Sequence, residues 1–254
     1  MTIVKFRITI IVLLMAFGWM SQAQTQKQPA KPETKAQPQE QKKEPTAEQK
    51  PSALTEHYYK KYVTAIQWND FDVAKDALYD LIIENPQNDS LISDLAYFYF
   101  DNQKYVPAVL VSQQLLARNP KNLVALEMSA VGYEVMGVKD RSLQNFESLY
   151  LLTNQFNYLY KMAFLQFDLK RYAECLTSVD ILLANKEMET AKVTYNDAAN
   201  KPKEYPMKVA VLNLKGMAIL EHLGDKAAAK KTFEEALAIA PDFELAKQNL
   251  AKVK

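Results

Sequence analysis

Residues 87–120 read QNDSLISDLAYFYFDNQKYVPAVLVSQQLLARNP, and this stretch decides the fold. Two amphipathic segments of about 14 residues flank the polar break Asn102-Gln103. Within each, apolar residues recur at three- and four-residue spacing, the mark of helices rather than strands. Pro107 reads at first as a helix breaker, yet it falls in the first turn of the second segment, where a missing N–H costs little. Small residues, Ala96 and Ala108, occupy the point where two antiparallel helices would touch, because axes about 8–10 Å apart leave no room there for a long side chain.

Outward from this block the same register repeats. Pro86 and Pro120 are 34 residues apart, and Asn154 stands 34 further on. Ala74, Ala108 and Ser142 share that interval, as do Phe71, Tyr105 and Lys139, and again Leu81, Leu115 and Leu149. Polar breaks fall at Asn69-Asp70 and Gly137-Val138. Asp70 and Asp225 are suited to cap the N-termini of second helices, and Gly137 and Gly224 to end first ones.

A fixed 34-residue helix–turn–helix period is the signature of one repeat class. Leu95-Ala96, Tyr99, Ala108 and Pro120 fit its pattern, as do Leu126, Ala130, Tyr133 and Phe146 in the third block. Ala229, Phe233, Ala236 and Pro241 fit it in the last, while Ala74 and Pro86 do so in the first. A fourth block has Met162-Ala163 and Tyr172, with Cys175 at the small-residue site. On these residues the chain resembles a tetratricopeptide-repeat protein over 54–186 and 208–254. The resemblance implies an all-α, right-handed superhelix of about five repeats. A polar-backed helix at 242–254 would cap it, with Phe243, Leu245 and Leu250 covering the last repeat. Two departures stand out: the fourth block is one residue short, and Gly216 and Gly224 lie eight apart where seven is expected. Between repeats 1–4 (54–186) and repeat 5 (208–241) lies an insertion, 187–207. Its segment 191–197 alternates as a strand does and could pair with Lys203-Glu204-Tyr205; an extended loop is the alternative.

The N-terminus is different in kind. Lys5 and Arg7 precede an apolar run, Ile8 to Met20, and Ser21-Gln22-Ala23 places small residues at a cleavage site, so residues 1–23 read as a secretory signal peptide cut after Ala23. The run is shorter than the ~20 residues of a membrane span, and no Cys follows it to carry a lipid. An exported, periplasmic chain without a membrane span is expected. Residues 24–53 carry Gln, Lys, Glu and Pro with almost nothing to bury, and read as a disordered tether.

Composition narrows the chemistry. The whole chain has five Gly, two His and one Cys, and 31 basic residues against 30 acidic. That balance gives no pull toward nucleic acid, and the lone Cys and distant His57 and His222 make neither a disulfide nor a usual zinc site. Gly132 to Lys139 only superficially matches a phosphate loop: the Lys is displaced and no Ser or Thr follows it. Tyr58 and Tyr62, in the basic-aromatic run 57–62, share a helix face and read as core. No nucleophile–base pair is found, so a non-enzyme is expected, with no cofactor and no metal.

What remains is a surface. The resemblance implies that first helices line the concave face, pointing Tyr59, Val63 and Ile66 inward in the first block and Ser93, Tyr97, Phe100 and Asp101 in the second. The third contributes Glu127, Val131 and Glu134, and the fourth Tyr160, Phe164, Phe167 and Asp168. Asn213, Met217 and Leu220 are assigned from the fifth, where the register is least defined. Such a groove is aromatic and acidic and lacks a basic clamp. The expected function is an exported, non-enzymatic scaffold that takes a protein or peptide segment in the bacterial envelope, with an envelope glycan or other polymer bound by groove tyrosines as the alternative.

Overall fold

The computed structural model describes residues 51–253; the expected leader (1–23) and all but the end of the expected tether (24–53) lie outside them. Ten helices form five antiparallel pairs: α1 (Ala53–Gln67) with α2 (Phe71–Glu84), α3 (Asp89–Asp101) with α4 (Tyr105–Arg118), α5 (Leu123–Val135) with α6 (Lys139–Thr153), α7 (Phe156–Asp168) with α8 (Tyr172–Ala184), and α9 (Met207–Leu223) with α10 (Lys226–Ile239). A final helix, α11 (Glu244–Lys252), follows. Each helix packs on the next in sequence, α8 on α9 included across the insertion between them, so the pairs stack as an α-solenoid.

The turn inside each repeat is the same device in four different sequences. Asn69, Gln103, Gly137 and Lys170 all take positive φ (57, 58, 75 and 59°). One residue later, the N–H of Asp70, Lys104, Val138 and Arg171 donates to the carbonyl five residues back, at 2.8, 2.8, 2.9 and 2.8 Å. This is a Schellman closure, which satisfies carbonyls that the end of a helix leaves unpaired. Gly224 (φ 66°) closes α9 one residue more tightly. Asp70 and Asp225 cap α2 and α10 as expected, accepting from Val73 N at 3.2 Å and Ala228 N at 2.9 Å.

Small residues set the helix spacing. Ala96, Ala108, Ala130 and Ser142 are fully buried, and the Ser142 hydroxyl donates to the Ala130 carbonyl at 2.8 Å across the α5–α6 contact. Gly216 lies so close to α10 that an added Cβ would sit 2.4 Å from the Phe233 ring. The missing residue of the fourth block falls at the α6–α7 junction. There Asn154, in the left-handed region (φ 55°), and Gln155 alone join helices that elsewhere are separated by four residues. The extra residue of the fifth block is absorbed by α9, the longest helix described.

The insertion contains the hairpin. A short 3-10 turn (Lys186–Glu189) leads into β1 (Lys192–Asn196), antiparallel to β2 (Pro202–Pro206), with Val193 opposite Tyr205 and Tyr195 opposite Lys203. An isolated two-stranded ribbon is marginal, and this one rests on the body. Tyr195 and Tyr205 meet Phe243 edge-on, with ring centroids 5.3 and 5.1 Å away, and Lys203 pairs with Asp242. The cap differs from expectation in one residue. Phe243 is buried, but Leu245 is 40 % exposed; Ala246, Asn249 and Val253 form the covering stripe with it, while Leu250 is half-buried.

Candidate functional site

Two pairs of neighbouring first helices touch, α3 with α5 and α7 with α9, whereas second helices make no comparable contact among the described residues. At these two junctions the stack is tighter along its first-helix side, the side that the resemblance assigns to the inner face. On it the expected residues separate into three groups.

In repeats 1–3 the face is open. Tyr59 and Tyr97 are exposed, and Val63 and Glu127 are half-buried. Asp101 is exposed and makes no ion pair among the described residues, and neither Glu127 nor the neighbouring Asp94 makes one. Burial holds the Asp94 and Glu127 carboxyls above the usual carboxylate range. The Tyr97 phenol is raised by burial, then by Glu127, Asp101 and Asp94. Tyr158 of α7 is raised by burial and then by Glu127 and Tyr97, and Tyr62 of α1 by burial and then by Asp94 and Tyr59. Three carboxylates without a cation are thus strung through tyrosines across four successive first helices. Asp94, Tyr62 and Tyr158 were not among the expected residues. The signal for Asp94 was present in its spacing from Tyr97 and Asp101, which places all three on one helical stripe.

A second group is neutralised or packed at home. Lys161 holds Glu134 at 2.9 Å and Lys139 holds Asp168 at 2.7 Å. The half-buried rings of Phe100 and Phe167 pack on the start of their own second helices, against Tyr105 at 5.5 Å and Tyr172 at 5.4 Å.

The third group is covered. Tyr160 and Phe164, 4.8 Å apart between ring centroids, lie against the hairpin, and the Tyr160 hydroxyl is 3.2 Å from that of Tyr195. Burial, then Tyr195, pushes the Tyr160 phenol upward. Asn213 requires a correction: it is 4 % exposed, and its Oδ1 accepts from Asn249 Nδ2 at 3.0 Å. It fastens α11 to α9 and is presented to nothing outside. Away from this face, Cys175 is buried, with its thiol pushed up to about 12 by burial.

No family model matches the chain, and no curated protein matches it. Solved structures do. A tetratricopeptide-repeat protein from Parabacteroides merdae is similar at 18 % identity and TM-score 0.56, over 78 % of this chain and 72 % of that one. The protein MamA is similar at 14 % identity and TM-score 0.56, over 78 % of this chain and 94 % of its own. YrrB, described as a tetratricopeptide-repeat protein with an unusual peptide-binding site, is similar at 12 % identity and TM-score 0.59, over 77 % and 90 %.

Proposed function

On this tetratricopeptide-repeat fold, we propose that the chain is a non-enzymatic scaffold whose open inner face in repeats 1–3 takes a partner protein's segment bearing basic and apolar residues. One observation carries the reading: Asp94, Asp101 and Glu127 stand beside Tyr97 without a cation, and two of the three have carboxyls raised by burial. Asp94 and Asp101 are exposed, whereas Glu127 is half-buried; leaving that charge unpaired is costly, and a ligand ammonium or guanidinium relieves the cost while stacking on the tyrosine face. YrrB's peptide-binding site is in keeping with this use of the fold. Export to the bacterial envelope belongs to the proposal too, on the strength of the N-terminal signal pattern; among the described residues no helix is long and apolar enough to cross a membrane.

The polymer reading loses one of its groove tyrosines, because Tyr160 lies against the hairpin. Combining Tyr97→Ala, Asp101→Asn and Glu127→Gln tests both. The variant should keep its circular dichroism and thermal midpoint yet lose its co-purifying protein. Loss of retained glycan with protein capture unchanged would favour the polymer, and no change in either would remove the inner face from consideration.

A further inference from the structure

The hairpin has two edges, and they are not alike. Met207 N donates to Ala191 O at 2.8 Å at one end of the ladder, and Asp197 N donates to Lys201 O at 2.8 Å at the other. With the observed register, these bonds fix the alternation: Val193 and Tyr195 turn their backbone groups toward β2, while Lys192, Thr194 and Asn196 turn theirs outward. On β2 the outward positions are Pro202, Glu204 and Pro206. Proline has no N–H, so β2 offers a single outward donor and is blunted as natural edges usually are. The outer edge of β1 has no such protection. Lys192, Thr194 and Asn196 are all exposed, and their backbone N–H and C=O groups have no partner among the described residues.

The position of this edge is also specific. Tyr195 of β1 is bonded to Tyr160 of α7, whereas β2 is tied to the α10–α11 turn through Asp242. Tyr160 occupies in repeat 4 the register position that Glu127 occupies in repeat 3, so the hairpin covers the inner face where the open, acidic part ends. The inner pleat, Val193, Tyr195 and Tyr205, is held by the body, which fixes the ribbon against the twisting that would disable it as a template.

We propose that β1 is a docking edge: an extended segment of a partner protein adds to it as a third strand, and lysine or arginine side chains of that segment reach the unpaired Glu127, Asp101 and Asp94. Main-chain bonds to Lys192, Thr194 and Asn196 supply affinity without sequence demands, and the carboxylates supply the selection. The charge of the partner rests on the reading of the inner face given above; the strand addition does not.

The probe is a blocked ten-residue peptide, KVKTKVKTKV, titrated onto the protein at physiological salt and followed by fluorescence anisotropy. Thr194→Pro removes an outward N–H and no ladder bond, so the hairpin survives it. It should weaken binding about tenfold, the value of one donor lost and one acceptor left unpaired, while Thr194→Ala stays within about twofold. On the unaltered protein, N-methylation of alternate peptide residues should abolish binding in one register and spare it in the other, a readout independent of any variant's folding. Glu127→Gln with Asp94→Asn separates the two readings. If these variants lose binding and neither Thr194→Pro nor the N-methyl register matters, the docking edge is refuted and the acidic face stands. If the edge changes matter and the carboxylate changes do not, the reverse holds. Absence of binding to the unaltered protein at millimolar peptide overturns both. Sedimentation completes the test: if Thr194→Pro abolishes self-association but leaves the peptide untouched, the occupant is a second copy of the chain and the proposal fails as stated.

Discussion

At the scale of single residues, the backbone asks for things the side chains only partly supply. The left-handed turn position is filled by glycine in two repeats, where the need is legible in the sequence, and by Gln103 and Lys170 in two others, where it is not. A side chain in that conformation is crowded against its own carbonyl at a cost of about 1–2 kcal/mol, partly offset because glycine leaves the unfolded chain freer. Lys170→Gly should therefore raise stability by about 0.5–1 kcal/mol in urea titrations; a loss would mean that the Lys170 side chain makes a contact worth more than its strain. Asn213 shows the other limit of reading residues from spacing. The extra residue in α9 makes the register of repeat 5 ambiguous, and a half-turn of helix separates a groove position from one bonded to Asn249.

At the scale of elements, the repeat pairs were readable because each is stabilised by neighbours close in sequence: small residues 12 apart across a turn, and apolar stripes of one period. The hairpin was readable as alternation, but its consequence was not. What seats it, Phe243 and Asp242, lies about 40 residues further on, and what it covers, Tyr160 and Phe164, about 30 residues back. Only the folded chain shows that these three elements share one aromatic cluster. Phe243→Ala should cost about 3–5 kcal/mol and release the hairpin and α11 together. Hydrogen exchange would report this as lost protection in 192–206 and 244–252 with α3–α6 unaltered. Loss confined to α11 would show that the hairpin is held by α7 and α9 alone.

At the scale of the whole molecule, the account makes electrostatics the selector. In the folded chain Asp94 and Glu127 release their protons above the ordinary values of 3.8 and 4.5. A carboxyl raised in this way binds more protons folded than unfolded within the window between its two pKa values. Its stability contribution is therefore greatest below that window and falls as pH rises through it. A cationic ligand needs the charged form, so its binding must strengthen over the same rise and release protons as it forms. Calorimetry in buffers of different ionisation enthalpy should detect that release for the unaltered protein just above the usual carboxylate range. It should be abolished by Asp94→Asn with Glu127→Gln, and binding should weaken with salt as exposed charge pairs do. The scarcity of glycine, histidine and cysteine suits such a molecule, in which the working parts are spacing and a patterned face.

The central claim is that the inner face, with the hairpin at its end, meets the partner, and the outer, second-helix side does not. Photo-cross-linking in cells tests it most directly, with p-benzoylphenylalanine placed at Tyr97 on the inner face or at Leu110, 66 % exposed on α4 of the same repeat. The account predicts a protein adduct from position 97, mapped by mass spectrometry to a segment carrying lysine or arginine, and none from position 110. An adduct from position 110 with none from 97 would contradict it.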